Sequence, residues 1–481
     1  MSSIKKVFIS GVFYTAAAKY SGIVISLIVT AILSRILLPG EFGIIAVAMV
    51  FIAFFSILSD MGIGTAIIQK KELTETDLSH IFSLSIYLAI VSAIVFFFVA
   101  TLIASYYDEP VLALICKILS VHLFFSVANI VPNGLLLKHK EFKFIAARTL
   151  IVQFTGGVLA VGAAFHGLGI YSLLIAPIFS SVALFIINYS RRRIPFSLLV
   201  RQSSIRKIAS YSVFQFLFNL INFFSRNLDN LLIGKYLGIY PLGYYEKSYR
   251  LMLLPMSNFS YLLTSVIHPV FSDYQDDIRY ITDKYLKVAK WLAIVGFPLS
   301  ALLFFTAKEL ILLLFGDQWA PSVPVFQYLC LSTGFQMASA SAGSIFQTVN
   351  ATKFLFIDGL LSTLFTVLCL FAGLFYFQDL NYVALLISAS FILNFFKSFF
   401  ILFRWTLKQP LLLFFKQLAI PLLLSIVLAG VLYIVGLYLN LPLAGCLIVK
   451  TAIAGLIFIG FIHFFNLYDL SILLKHGNKA E

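Results

Sequence analysis

Charge is scarce in this chain. Only 11% of its 481 residues are Asp, Glu, Lys or Arg, while 61% are apolar, so a soluble globule of this size would lack a polar coat. Cysteine is scarce too, and Cys116, Cys330, Cys369 and Cys446 all fall inside apolar stretches without pairing or ligand spacing. That excludes a disulfide framework and a zinc site as organising devices, and no metal or other cofactor is expected. The seven histidines are dispersed, which leaves no cluster for metal or acid–base chemistry. Acids are outnumbered, 20 against 34 bases, for a net charge of +14. Such an excess suggests nucleic acid, but these bases gather in connections on one side of a membrane, where lipid and the insertion machinery explain them, so no nucleic-acid partner is expected.

Long apolar runs are what the chain has in abundance. Fourteen stretches of roughly 22 to 30 residues are each long enough to cross about 30 Å of hydrocarbon. Their bounds are 8–37, 42–68, 78–106, 110–137, 144–165, 168–190, 208–237, 242–271, 291–315, 321–349, 354–376, 380–403, 417–439 and 442–466. The first is too long for a signal-peptide core and no small-residue cleavage pattern follows it, so it reads as a retained helix. Of the fifteen water-facing pieces, seven hold no Lys or Arg, and the eight that alternate with them hold 23. The basic set places both termini in the cytoplasm. Opposite connections are short, with Glu41, Asp108, Glu109, Asp317 and Asp379 their only charges. Nothing folds there, which argues against an enzyme working on the outer face.

The expected fold is an all-α polytopic membrane protein of about fourteen helices. SRILLPGEFGIIAV from Ser34 aligns without gaps with GKYLGIYPLGYYEK from Gly234, an offset of 200, so that Gly43 meets Gly243. Lys143-Phe144 and Lys353-Phe354 recur at an offset of 210, both where a fifth helix enters. Six helices per half is an even number, so the two halves point the same way and should be related by an axis along the membrane normal, with a cleft between them. The expected division is a bundle over 1–190, a basic linker over 191–207, a second bundle over 208–403, and two further helices with a tail over 404–481. The Arg191-Arg192-Arg193 run at the linker reads as a topology anchor or as a contact to anionic lipid.

Charges within spans are costly, so they tend to face a bundle interior or water. The spans hold eleven bases against five acids, an excess of six. Arg35, Lys235, Lys247, Lys308, Arg148 and Lys397 lie near span ends and can snorkel. Lys19, Lys117, Arg226, Arg250 and Lys450 lie deeper. In the seventh span Gln215, Asn219, Asn222, Arg226 and Asp229 share one helical face. Thr15, Lys19, Gly22, Ser26 and Thr30 repeat that pattern in the first span. Such stripes either line a cleft or join helices by hydrogen bonds. Lys19, Lys117, Gln215, Asn219, Asn222, Arg226 and Arg250 are the candidate cleft residues. Arg226 is spaced to pair with Asp229, Arg250 with Glu246, and Lys19 has Asp60 as a partner across the bundle. Asp60, Asp229, Glu246 and Asp358 are the candidates for ion pairing or for taking up a coupling ion.

AILSRILLPGEFG followed by FSILSDMGIGTAIIQ, then RNLDNLLIGKYLGIYPLGYY and LFGDQWAPSVPVFQYL, resemble the Wzx-type lipopolysaccharide and exopolysaccharide flippases. These form the polysaccharide branch of the multidrug/oligosaccharidyl-lipid/polysaccharide exporter superfamily, and the chain looks most like its colanic-acid-type exporters. The resemblance covers almost the whole chain. It implies two six-helix bundles around a cationic cavity in a bacterial inner membrane, with undecaprenyl-diphosphate-linked oligosaccharide carried from the cytoplasmic to the periplasmic leaflet by alternating access. Membrane lipids, a polysaccharide polymerase and chain-length proteins are the implied partners. The competing readings are a cation-coupled drug antiporter, which favours uncompensated acids where these spans are net basic, a polysaccharide polymerase or ligase, and an energy-independent scramblase.

Overall fold

The computed structural model describes the backbone over 2–70, 72–272 and 277–465, and side chains over 14–70, 72–208, 216, 219–256, 271 and 277–465. Among the described residues there is helix almost throughout and no strand. α1 (Ser2–Ile36) turns sharply into α2 (Pro39–Asp60), whose start is fixed by Pro39 in the first turn and by the Glu41 carboxylate accepting the Leu38 N–H at 2.7 Å. Left-handed residues Met61 and Gly62 then break the rod, and α3 (Ile63–Gln69) carries it on. α4 (Glu75–Tyr107) begins on a capping box between Thr74 and Asp77. α5 (Pro110–Ala128) and α6 (Ile130–Lys138) form one broken rod, and Asn129 at the break accepts the Asn188 side-chain N–H at 2.8 Å. α7 (Phe142–Phe165), α8 (Ser172–Arg191), α9 (Gln202–Tyr236) and α10 (Ile239–Ser272) follow.

Farther on come α11 (Ile278–Phe305) and α12 (Ala307–Phe315), then three short pieces, α13 (Ser322–Cys330), α14 (Thr333–Ser339) and α15 (Ala342–Thr348). α16 (Thr352–Phe371) and α17 (Leu380–Phe400) each end in a wider π turn, and α18 (Leu411–Tyr438) and α19 (Leu443–Phe464) complete the described helices. Among the described residues, eleven helical rods are long and apolar enough to cross a membrane. Expected spans 208–237, 242–271 and 321–349 are not among them. The first two, on α9 and α10, lie partly outside the residues whose side chains the structure describes. In the third region hydroxyls turn back on the backbone, as Ser332 does to Leu329 O at 2.8 Å, and the rod is cut into one- and two-turn pieces. A count of fourteen spans therefore stays a proposal.

The chain divides into two compact units, Met1–Gly243 and Tyr244–Glu481. The six-plus-six threading is a separate proposal about the path through the membrane. In the first unit the N-terminal turns of α2 and α10 touch reciprocally. A Cβ on Gly43 would overlap the Ile239 carbonyl oxygen, and a Cβ on Gly243 would overlap that of Pro39. Pro39 and Ile239, like the two glycines, stand 200 residues apart, so the repeat seen in sequence is also a pair of mutually packed turns. The connection after α8 lies along α4 and buries Ile194 among Ile63, Ile67, Ile81, Phe82 and Leu135. In the second unit α11, α15, α17 and α18 share a core around Phe395, Phe399 and Phe414, the last two stacked with centroids 3.7 Å apart.

Candidate functional site

Helices α1 and α7 pack closely where glycine lets them. Gln153 Nε2 donates to Gly22 O at 2.8 Å, and a Cβ on Gly22 would lie 2.7 Å from Gln153 Oε1. One turn farther along α7, a Cβ on Gly157 would lie 2.5 Å from the Val29 side chain. Towards the start of α7, where Phe142, Ile145 and Thr149 replace glycine, a cleft of ≈ 480 Å³ opens between the two helices. Thr15, Lys19, Gly22 and Ser26 line it from α1, and Ala146, Thr149 and Gln153 from α7. Four of the five residues in the stripe predicted for the first span thus share one wall. Thr30 does not line the cleft.

Lys19 is half-buried on this wall, Thr15, Ser26 and Thr149 are exposed, and Gln153 is half-buried. The cleft therefore offers one ammonium, hydroxyls and an amide beside apolar Ile23, Phe142 and Ile145. Lys143, next in sequence to the lining residue Phe142, has its ammonium 5.9 Å from the Tyr14 ring centroid. Thr149 and Gln153 escaped the sequence reading, and Lys143 figured in it only as part of a repeat, because α7 is apolar overall and only the position of the α1 stripe gives its few polar residues a meaning. An ammonium with hydroxyls and an amide around it binds anions and polyhydroxylated groups by charge-assisted and neutral hydrogen bonds.

Other predicted residues are placed elsewhere. Lys117 is half-buried on α5, with its Nζ 5.4 Å from the centroid of the Phe97 ring on α4. A cation over a π face gains electrostatic attraction from the ring, which offsets part of the cost of this base in a span. Asp60 makes no ion pair among the described residues. Its carboxylate accepts the Gly64 N–H at 3.1 Å and so serves the break between α2 and α3. The expected partnership of Asp60 with Lys19 does not form.

Asn219, Asn222 and Asp229 are half-buried on α9, and Arg226 is exposed and makes no ion pair among the described residues. Asp229 Oδ1 instead accepts the Asn230 N–H at 2.8 Å, so the i, i+3 pair anticipated in sequence is not made. Gln215 lies on α9, but its side chain is outside the described residues. On α10 the Glu246–Arg250 pair does form, at 2.6 Å, with the arginine side chain 71% exposed.

In the second unit Asp358 on α16 is held at 3.0 Å by Lys397 and accepts the Ser398 hydroxyl at 2.7 Å. Lys450 is buried with Glu309 at 2.5 Å, a partner the spacing along the chain did not reveal. Arg148, read as snorkelling, is buried and donates to Asn133 at 2.7 Å. Neighbouring helices supply these partners, and local spacing carries no record of them.

Outside the spans, Glu141 joins the end of α8 to the start of α7, accepting from Arg191 at 3.0 Å and from Arg192 at 2.7 Å. Burial on its own would raise the Glu141 carboxyl, but the bonds and charges of Arg192 and Arg191 outweigh it and hold the group below its ordinary range.

Known proteins bear on this geometry. Residues 32–324 match the family described as polysaccharide biosynthesis protein. The chain is 28% identical over 342 residues to lipopolysaccharide biosynthesis protein WzxC of Escherichia coli K12, covering 68% of this chain and 67% of that one. It is 25% identical over 341 residues to teichuronic acid biosynthesis protein TuaB of Bacillus subtilis 168, covering 69% of each. Among solved structures, the lipid II flippase MurJ in an inward closed conformation superposes with a TM-score of 0.73 at 14% identity, covering 94% of this chain and 98% of that one. Identity that low speaks for the fold alone, which among the described residues is all-helical.

Proposed function

The chain belongs to the polysaccharide biosynthesis protein family, and on that premise we propose that it is a transporter, a flippase carrying oligosaccharide repeat units on an undecaprenyl diphosphate carrier between leaflets. The cleft between α1 and α7 is the observation that carries the reading. A diphosphate concentrates negative charge, and Lys19 on the cleft wall offers it a cation, with Lys143, next in sequence to the lining residue Phe142, as a second base close by in the chain. Thr15, Ser26, Thr149 and Gln153 suit sugar hydroxyls, while the carrier's tail stays in lipid. From Lys19 to Ser26 the polar wall climbs about 10 Å along α1, at about 1.5 Å per residue.

The finer parts of the proposal follow the charge pattern. Basic connections face the cytoplasm of a bacterial inner membrane, both termini lie on that side, and loading is from the cytoplasmic leaflet. Lys117, Gln215, Asn219, Asn222, Arg226 and Arg250 are each further proposed substrate-contacting residues. Of the four acids, Glu246 and Asp358 serve as ion pairs to Arg250 and Lys397, and Asp60 and Asp229 are the proposed coupling candidates. A polysaccharide polymerase and chain-length proteins are the downstream partners.

The test is a deletion strain analysed for its lipid-linked intermediates. Loss of this chain should leave a completed repeat unit on its carrier at the cytoplasmic face, and plasmid-borne parent chain should clear it. An unchanged pool of lipid-linked glycan in the deletion strain would refute the assignment.

A further inference from the structure

The connection from α8 to α9 is not a loose tether. Over 191–207 it holds six bases and no acid. Side chains on one face of α4 fix its backbone at four successive places. Ser79 Oγ donates to Pro195 O at 2.6 Å, Ser83 Oγ accepts the Ser197 N–H at 2.8 Å, Tyr87 OH donates to Leu198 O at 2.9 Å, and His80 Nδ1 lies 2.9 Å from Leu199 O. Asp77, at the foot of the same helix, takes Ser204 Oγ at 2.7 Å and Lys207 Nζ at 2.6 Å. Non-helical backbone near hydrocarbon is tolerated only when its polar groups are satisfied, and α4 spends its few polar side chains on that task.

What the strap turns away from α4 is apolar. Leu198 is 81% and Leu199 80% exposed, and Phe196, edge-on to Tyr87 at 5.8 Å, is 47% exposed. Flanking them, Arg193, Arg201 and Arg206 are exposed and make no ion pair among the described residues. Depth follows from α4. Its outer end at Tyr107 and a hydrocarbon thickness of about 30 Å, or about 20 residues, put the inner border of the hydrocarbon near Tyr87. Leu198 is bonded to that residue.

We propose that residues 194–200 form an interfacial anchor: Leu198 and Leu199 enter the acyl border of the cytoplasmic leaflet, and Arg193, Arg201 and Arg206 bind the headgroups of anionic lipid. Exposed leucines beside unopposed arginines fit a negatively charged lipid surface, since acyl chains take the former and phosphates the latter. The inference rests on the proposed threading, with this connection in the cytoplasm, and is independent of what is transported.

The experiment uses the full chain in nanodiscs of phosphatidylcholine, alone or mixed with phosphatidylglycerol. A nitroxide is attached at Leu198→Cys and separately at Leu199→Cys, with the labelled parent subtracted for its native cysteines. These side chains face away from α4, and its bonds to the strap use backbone atoms, so either variant suffices if the other misfolds. Oxygen should relax the label more than a water-soluble nickel chelate does. Adding phosphatidylglycerol should raise the oxygen-to-nickel ratio at least about twofold, on the order of 1 kcal/mol per basic residue near such a surface being ample for that. The triple variant Arg193→Gln, Arg201→Gln, Arg206→Gln should lose the increase and keep the remainder. A label as open to nickel as one in water, protection from both reagents as under a protein partner, or an increase surviving in the triple variant would each overturn the proposal. Because no transport is measured, failure here leaves the flippase reading standing, and failure of that reading leaves this result unaltered.

Discussion

Two lysines within apolar helices show how differently a membrane protein accommodates the same charge. Lys450 in the second unit is 8% exposed and closed in, with its Nζ 2.5 Å from Glu309 Oε1 and 2.8 Å from Phe305 O. Lys19 in the first unit is half-buried on the wall of a ≈ 480 Å³ cleft, among hydroxyls and an amide. Both are bases in an apolar setting and both are costly there. The closed pair meets that cost with protein groups and excludes any ligand, whereas the cleft leaves room for one. A base in a span is thus weak evidence of a binding site, and open polar space beside it is what separates the cases.

Activity should break along this line first. Lys19→Ala is expected to lower glycan translocation at least tenfold at unchanged protein level, and Lys19→Arg to retain part of it. The measurement is the fraction of lipid-linked repeat unit that reaches the outer leaflet in complemented deletion strains. Parent-like translocation by Lys19→Ala would erase the distinction between the two lysines.

Stability should break the other way. Lys450→Ala leaves Glu309 buried and unmatched, a change expected to cost roughly 3–5 kcal/mol, and the double variant Lys450→Met, Glu309→Leu should recover most of it. Thermal unfolding in detergent reads both. Equal losses from Lys19→Ala and Lys450→Ala would mean that the cleft lysine is a packing element after all.

The α1 stripe was legible because period 3.6 leaves its mark along a single helix, and the cleft inherits Thr15, Lys19, Gly22 and Ser26 from it. Gln153 and the contact of Lys143 with Tyr14 were illegible for the opposite reason: each has meaning only against α1, more than a hundred residues away in the chain. The same holds for Asp358 with Lys397 and for Glu309 with Lys450. Long apolar rods were legible from length, but the cutting of 322–348 into three pieces was not, since serine within a span signals equally a helix contact or a bend. The repeat at an offset of 200 was weak as sequence and gains its physical content from Gly43 and Gly243, whose absent side chains admit each other's partner carbonyl. Gly43→Val should therefore cost about 1–3 kcal/mol by forcing α2 and α10 apart. Loss of thermal stability with the polar cleft unchanged would separate this contact from Lys19; an unaltered melting temperature would show that the two turns are not packed as described.

A finer cut concerns Gln153, which both lines the cleft and ties α7 to Gly22 O. Gln153→Leu should cost about 1 kcal/mol for the lost bond. If Gln153 also meets sugar, translocation should fall further than that loss explains, and a fall in stability alone would assign it to packing.

The smallest effect is expected at the clasp of Glu141 with Arg191 and Arg192, where the strap begins. The Glu141 carboxyl is held below its ordinary value of 4.5, so its contribution to stability is fully present above that pH and is lost as pH falls through the lowered native value. Because the arginine side chains are 57% and 40% exposed, solvent and salt screen the pair, and the contribution should stay below about 1 kcal/mol. Protection of the amides over 191–201, taken relative to the intrinsic exchange rate at each pH, should fall as pH drops below the ordinary Glu141 value through its lowered native one. Glu141→Gln should show low protection throughout. A pH response that survives in Glu141→Gln would move the titrating group to Asp77, which ties Ser204 and Lys207 at the other end of the strap.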